Sequence, residues 1–392
     1  MSAAIHGLPT DRPAGCPFDP PRELTELRED RPLTRMVYPD GHDGWLVTSH
    51  ELVRAVLADT RFSSRYELMH YPFPGGPEEM PPATVGDLTG VDAPEHTRYR
   101  QLLARHFTVR RMRLLTERVQ QVCEERLDAM AEQGPPVDLV TAFAQPVPAL
   151  MICELLGVPY ADHEFFQRQA QLLTSSSAPM EEKGAAMNAL FEYLHALVLA
   201  KRAAPTDDLL SELTTSDLSD DELAGVGSFL LGAGLDTTAN MLALGTFALL
   251  NNPGQLAGLS TPDTAVEELL RYLTIAHTNV RTALSDVELG GELVRAGETV
   301  TISMQTADRD PARYPDPDTL DLSREAIGHV ALGHGIHQCL GQQLARVEMK
   351  VAFPALFARF PTLRLAVDPA EVPLRTDSSI HGVHELPVAW DR

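Results

Sequence analysis

Between Leu332 and Gly341 the chain reads Leu-Gly-His-Gly-Ile-His-Gln-Cys-Leu-Gly. Glycines at 333, 335 and 341 surround one cysteine, Cys339, and the loop delivers it to the start of an amphipathic helix that runs to about Phe360. A Gly-x-Gly-x-x-x-Cys-x-Gly match arises by chance in roughly one such chain in a thousand. Only the thiolate is a useful metal ligand, and burial in a water-poor pocket opposes its formation. A bound iron and the positive end of a helix counter that penalty. Glycines let the backbone approach a flat macrocycle and turn N–H groups toward the sulfur, which tunes an iron's reduction potential. A β-branched residue at Gly333 or Gly335 is expected to spoil the loop. The competing metal reading is a zinc or non-haem iron site built from His334, His337 and Cys339; such sites take a further carboxylate or thiolate, and no matching set stands out.

A second group of chemically capable residues is Ala233-Gly234-Leu235-Asp236-Thr237-Thr238, midway along an apolar run. Small side chains at Ala233 and Gly234 open space beside a helix, and the Thr237 hydroxyl can compete for a carbonyl one turn earlier and distort it. An ionisable Asp236 inside an apolar helix is costly unless it has a task. The bland alternative is a polar kink. Glu268 and Arg271 form a Glu-x-x-Arg pattern, which also occurs at Glu51/Arg54, Glu95/Arg98 and Glu292/Arg295. An exposed pair of this kind contributes a few tenths of a kcal/mol, so only position in the motif order singles out Glu268. The remaining cysteines, Cys16, Cys123 and Cys153, form no Cys-x-x-Cys pair, which fits a reduced compartment, and Cys123 and Cys153 read as buried, inert thiols.

The elements that must hold these groups are legible as patterns. Ser219-Asp220-Asp221-Glu222 is a capping box, and the apolar run behind it lasts to Leu250, where Asn251-Asn252-Pro253 stops it. At 1.5 Å per residue these roughly thirty residues span about 45 Å, enough to cross a whole domain. Asp236, Thr237, Thr238 and Asn240 interrupt the run and exclude a membrane span. A second helix starts at Thr261-Pro262. Gly44–Thr48 reads as a short strand and Glu51–Ala58 as a helix, while Val287–Val300, with Gly290-Gly291 and Gly297 as turns, reads as a small antiparallel element. Tyr71–Pro82 is dense in proline and glycine and reads as a surface or lid loop, and 308–323 as an irregular stretch. The expected fold is mainly α with small β-sheets. No linker divides the chain, so residues 1–392 are expected to form a single domain. With 32 basic against 55 acidic side chains the net charge is −23, which disfavours nucleic acid and anionic lipid as partners. The first thirty residues hold no apolar stretch suited to a signal or anchor, so no membrane partner and a cytoplasmic location are expected.

Taken in order, these motifs closely resemble the cytochrome P-450 superfamily over nearly the whole chain. Asp92-Ala93-Pro94-Glu95-His96-Thr97-Arg98-Tyr99-Arg100 resembles the family's helix beside the haem, and His96 and Arg100, four apart, match propionate-binding positions, as do Arg281 and His337. The resemblance implies a long central helix over haem b (iron protoporphyrin IX), with Cys339 as the metal ligand. It implies cofactor contacts from His96, Arg100, Arg281, His337, Ala233, Gly234, Gly333 and Gly341. Asp236 and Thr237 would relay protons to dioxygen at the iron so that the O–O bond breaks heterolytically, and Glu268 with Arg271 would be a buried structural pair. Val91, Leu235, His277, Thr278 and Ile380, with the Ser64–Thr89 loop and the Ala161–Leu199 segment, would form the substrate pocket.

The likeness is to bacterial members, particularly those of actinomycetes that tailor secondary metabolites. It implies electrons from a ferredoxin and ferredoxin reductase, a monomer, and a lipophilic substrate. A macrolide or other polyketide stands first, a terpenoid or xenobiotic second. The rivals are a haem protein that binds or senses a ligand without turnover, and a peroxide-driven hydroxylase, a branch that lacks the acid–alcohol pair. Two positions depart from the pattern. Leu332 stands where phenylalanine is usual, and Thr319-Leu320 stands where an arginine or histidine commonly buttresses Glu268/Arg271. Arg98 to Arg118 holds seven arginines and one acidic residue, either a solvated face or a dock for an acidic ferredoxin.

Overall fold

The longest element of the computed structural model is the helix Asp220–Asn251, 32 residues. Residues 4–13, 15–77, 79–174, 179–375 and 380–391 are described. The Ser219 side chain accepts from the Glu222 N–H, Glu222 accepts from the Ser219 N–H, and three acids in the first turn face the positive end of the helix dipole. From Thr238 to Leu249 every residue is buried, so this half has no solvent stripe and runs through the core. Helices Pro146–Leu156, Met180–Ala203 and Gln342–Arg359 pack around it. Gln342–Arg359 in turn lies against Thr116–Gln133 and Pro262–Leu273. The helix-rich fold with small sheets is the one expected.

Among the described residues the largest sheet has six strands, in the order Ile5–His6, Leu33–Val37, Asp43–Val47, Thr299–Ser303, Thr278–Ala283 and Phe62–Ser63. Asp43–Val47 runs parallel to Thr299–Ser303 with Trp45 opposite Val300, and Thr278–Ala283 runs antiparallel to it with Arg281 opposite Val300. The single antiparallel element expected over Val287–Val300 is divided. Val287–Leu289 and Glu292–Val294 close a hairpin through Gly290 and Gly291, both at positive φ, while Thr299–Ser303 joins the large sheet. Among the described residues no helix is long and apolar enough to cross a membrane.

Glu268 and Arg271 are fully buried and meet through two hydrogen bonds of 2.7 and 2.8 Å. Arg271 also donates to the carbonyls of Asp308 and Pro317, at 2.8 and 2.9 Å. Glu268 accepts from the Asp321 N–H at 3.0 Å and from Arg324 Nε at 3.2 Å. The third contact, missing at Thr319-Leu320, therefore comes from Arg324, and the pair ties the helix Pro262–Leu273 to the proline-rich stretch. Removing one partner strands the other charge in the core. Arg271→Ala is expected to lose about 3–5 kcal/mol in denaturant unfolding, against less than about 0.5 kcal/mol for Glu51→Ala on the surface.

Candidate functional site

The cysteine loop is held by its glycines. Gly333 and Gly335 sit at φ of 73° and 75°, and a Cβ on Gly335 would lie 2.3 Å from the Leu57 carbonyl oxygen, so the loop is pressed on the end of the helix His50–Ala58. The Gly333 N–H donates to Val330 O at 2.7 Å, Cys339 N–H to Leu332 O at 2.8 Å and Gln338 N–H to Gly335 O at 3.1 Å. Leu332, the departure from the family pattern, packs partly buried against the main core. This arrangement sets Cys339 at the N-terminus of Gln342–Arg359, capped by Gly341. Burial raises the thiol pKa, opposed by the backbone N–H groups of Gly341 and Gln342 and by the positive charges of Arg100 and Arg346. Cys123, by contrast, is pushed up to about 12, chiefly by burial, with nearby carboxylates adding to it.

Four basic groups gather at this loop, three from two further elements and one from the loop itself. The helix Glu95–Ala104 brings His96 and Arg100, the strand Thr278–Ala283 brings Arg281, and the turn Gly335–His337 brings His337. The rings of His96 and His337 lie 4.1 Å apart. Burial first, then Arg281, His96 and Arg100, depress the His337 imidazole to about 3, and burial lowers Arg281 to about 10. Both ring nitrogens of His96 and Nδ1 of His337 are buried without a well-formed hydrogen bond. Orphaned nitrogens among cations demand an anionic group, and the two carboxylates of a haem fit that demand. Among the described residues no group of three or more His, Cys, Asp or Glu could hold a metal ion, which removes the zinc or non-haem iron reading of His334, His337 and Cys339.

On the central helix, Gly232 and Ala233 are exposed within an otherwise largely buried stretch, so the helix opens onto space there. Thr237 Oγ1 donates to Ala233 O at 2.7 Å, the one-turn hydrogen bond anticipated from the sequence. Gly234 faces the other way. A Cβ there would come 2.7 Å from Ile152 Cδ1, so its missing side chain admits the neighbouring helix. Asp236 Oδ1 accepts from Arg375 Nη1 at 2.7 Å and from Asn240 Nδ2 at 3.1 Å.

The proposed substrate contacts are dispersed. Val91 lines a cavity of about 680 Å³ together with Arg281 and His337. His277 lines a different one, of about 1210 Å³, and its Nδ1 is 2.9 Å from Thr278 Oγ1. Ile380 bridges to Ala276, and Leu235 is buried on the central helix. Within the two pocket segments, residues 78 and 175–178 lie outside the described residues.

Sequence reading missed Arg375, Asn240 and Glu348. Glu348 is buried on the helix Gln342–Arg359 beside the Thr238 hydroxyl, and burial lifts its carboxyl to about 8. The signal was available, because Glu348 falls four residues from both Leu344 and Ala352 in the buried stripe of that helix. The folded state binds this proton more tightly than the unfolded chain does, so its contribution is fully present below the ordinary glutamate pKa and is lost as pH rises to about 8. Glu348→Gln is expected to match the parent near pH 4.5 and to exceed it in stability increasingly up to about pH 8, as read by unfolding at each pH.

The comparisons with known proteins agree with this geometry. The family model described as Cytochrome P450 matches residues 255–384. The chain is 46% identical to Cytochrome P450-SU2 of Streptomyces griseolus over 98% of this chain and 96% of that protein. It is 45% identical to the pentalenic acid synthase of Streptomyces avermitilis, over 100% and 98%. The crystal structure of CYP105P1 in complex with filipin I superposes with a TM-score of 0.90 at 42% identity, covering 99% of each chain. A loop-borne thiol at a helix start, an orphaned basic cluster and relatives matched end to end converge on one conclusion: the chain belongs to the cytochrome P450 family of monooxygenases.

Proposed function

We propose that this monooxygenase hydroxylates or epoxidises a lipophilic natural product, with a macrolide or polyketide tailoring step as the leading case and a terpenoid or xenobiotic as the second. The observation that carries the reading is the placement of Asp236 and Thr237 on the stretch of the central helix that opens onto space. Haem b is the cofactor this reading takes. Cys339 would hold its iron, His96, Arg100, Arg281 and His337 its propionates, and Ala233, Gly333 and Gly341 would allow its close approach, whereas Gly234, expected to do the same, faces Ile152 of the neighbouring helix instead. When bound, the haem supplies dioxygen activation and oxygen transfer.

The remaining work falls to side chains of this protein. The Thr237 hydroxyl spends its own hydrogen on Ala233 O, so its oxygen is free to accept from a water and hold that water in line. Asp236 passes a proton to that water and takes one back from solvent. The N–H groups of Gly341 and Gln342 would favour negative charge on the Cys339 sulfur against the burial that opposes it. Val91, Leu235, Thr278 and Ile380 would contact the substrate, while His277 faces a separate cavity. The pentalenic acid synthase and the filipin I complex among its relatives support a natural-product substrate.

We assign electron delivery to an acidic ferredoxin served by its reductase. Of the arginines between Arg98 and Arg118, Arg98 pairs with Asp217 and Glu222, Arg111 with Glu212, and Arg118 with Glu154. Arg110 and Arg113 are exposed with no salt bridge among the described residues, beside the exposed side chains of Val109 and Leu114, while Arg105, also exposed, donates to His106 and lies within electrostatic reach of Glu212. A basic rim around apolar side chains suits a transient acidic partner.

Two measurements test the reading. In Thr237→Ala, product formed per electron pair consumed is expected to fall about tenfold or more while the reduced carbon monoxide spectrum stays that of the parent. Coupling equal to the parent's would overturn the relay role of Thr237. The rate of reduction by ferredoxin is expected to fall as ionic strength rises from 0.01 to about 0.3 M, and a flat response would remove the docking assignment.

A further inference from the structure

Arg375 occupies two places at once. Its guanidinium meets Asp236, both side chains being mostly buried, and its own segment is pinned to the central helix. The Arg375 N–H donates to Gly382 O at 2.9 Å, and Leu374 bridges Val383. Gly382 lies so close to the helix that a Cβ would come 1.7 Å from Asn240 Oδ1. Arg375 also lines the cavity of about 1210 Å³. The rim of that cavity, at Asp11, Pro74, Gly75, Asp368 and Ala370, is exposed. Its wall is mostly apolar but carries several polar groups, with Arg12 donating to Gln305 Oε1 at 2.9 Å and His277 and His381 beside them. A roomy cavity with several polar groups is suited to water. One side chain, that of Arg375, connects this water-accessible space to the carboxylate.

We propose that the cavity of about 1210 Å³ is the entrance for protons bound for Asp236, and that Arg375 is its gate. While the ion pair is closed, the guanidinium covers the Asp236 side chain. When the guanidinium swings into the cavity, a hydrated proton there passes to the carboxylate. Asp236 then gives a proton to the water held by Thr237 and returns to its charged form, and Arg375 engages it again. One proton has moved and no electrons have. Arg375 is thus a positioning residue, acting through Asp236.

The inference rests on the relay role of Asp236 and Thr237, and its test separates the two. Thermal unfolding of the holoenzyme as Asp236→Asn, Arg375→Gln and the double variant reads the ion pair without turnover. The two single losses are expected to exceed the double variant's loss when summed; additive losses overturn the gate. The solvent deuterium isotope effect on product formation reads the entrance. It is expected to fall about twofold in Arg375→Gln and to recover in Arg375→Lys, because an open entrance no longer limits proton delivery. An Arg375 that merely braced Asp236 would leave the effect unchanged or raise it, and that result overturns the proposal. Ala370→Trp, which narrows the rim, is expected to raise the effect, and a value equal to the parent's overturns the cavity as the entrance. If Thr237→Ala stays coupled, the relay itself fails; if it uncouples while Arg375→Gln behaves as the parent, only the gate fails.

Discussion

Much of the structure is arranged around one buried sulfur, that of Cys339, and the groups that favour its charged form. Burial pushes the Cys339 thiol toward its neutral form, and the fold answers with N–H groups from Gly341 and Gln342 and with two arginines. Each of these needs support of its own. Arg346 is held by Glu267 through contacts of 2.5 and 3.0 Å, and Glu267 also meets His329 at 3.1 Å. The neighbouring Glu268 points elsewhere, into the pair with Arg271 and Arg324. Adjacent residues on a helix do not face each other, so two consecutive acids serve two networks. One brackets the cysteine loop and the other anchors the proline-rich stretch that leads to it.

The central helix meets the opposite constraint. It must be apolar enough to run through the core and still present polar groups at one level. Thr237, Asp236 and Asn240 achieve this by bonding locally or to one partner: the hydroxyl to Ala233 O, the carboxylate to Arg375, and the amide to Asp236. Thr238 turns inward beside Glu348 of the helix that follows Cys339. The two helices that would flank a haem are therefore in polar as well as apolar contact. The polar contact is paired or protonated throughout, which is how a core tolerates it.

Charge on this molecule is similarly arranged by pairing rather than by count. A chain of net charge −23 carries an arginine-rich segment from Arg98 to Arg118, yet salt bridges to Asp217, Glu222, Glu212 and Glu154 absorb three of those arginines, and a fourth, Arg100, lies beside Cys339. What is left outside is a small basic face and not a broad field.

The cysteine loop, the central helix with its capping box, and the helix from Pro262 to Leu273 were legible because each is local. Glycine spacing, a cap three residues from its partner, and a proline at a first turn act within a few residues. The position of Glu348 was legible in principle from the same periodicity. Arg324 and Arg375 were not, since each meets its partner from 56 and 139 residues away. The division of Val287–Val300 was hidden too, because the strand Thr299–Ser303 finds its neighbours at residues 45–47 and 278–282, and pattern alone cannot name a partner. The chain by itself thus determined which residues could ligate, relay and cap. Tertiary structure decided which charges meet, which glycine faces open space and which faces a neighbour, and where a cavity comes within one side chain of the acid, because such contacts exist only once distant segments are packed together.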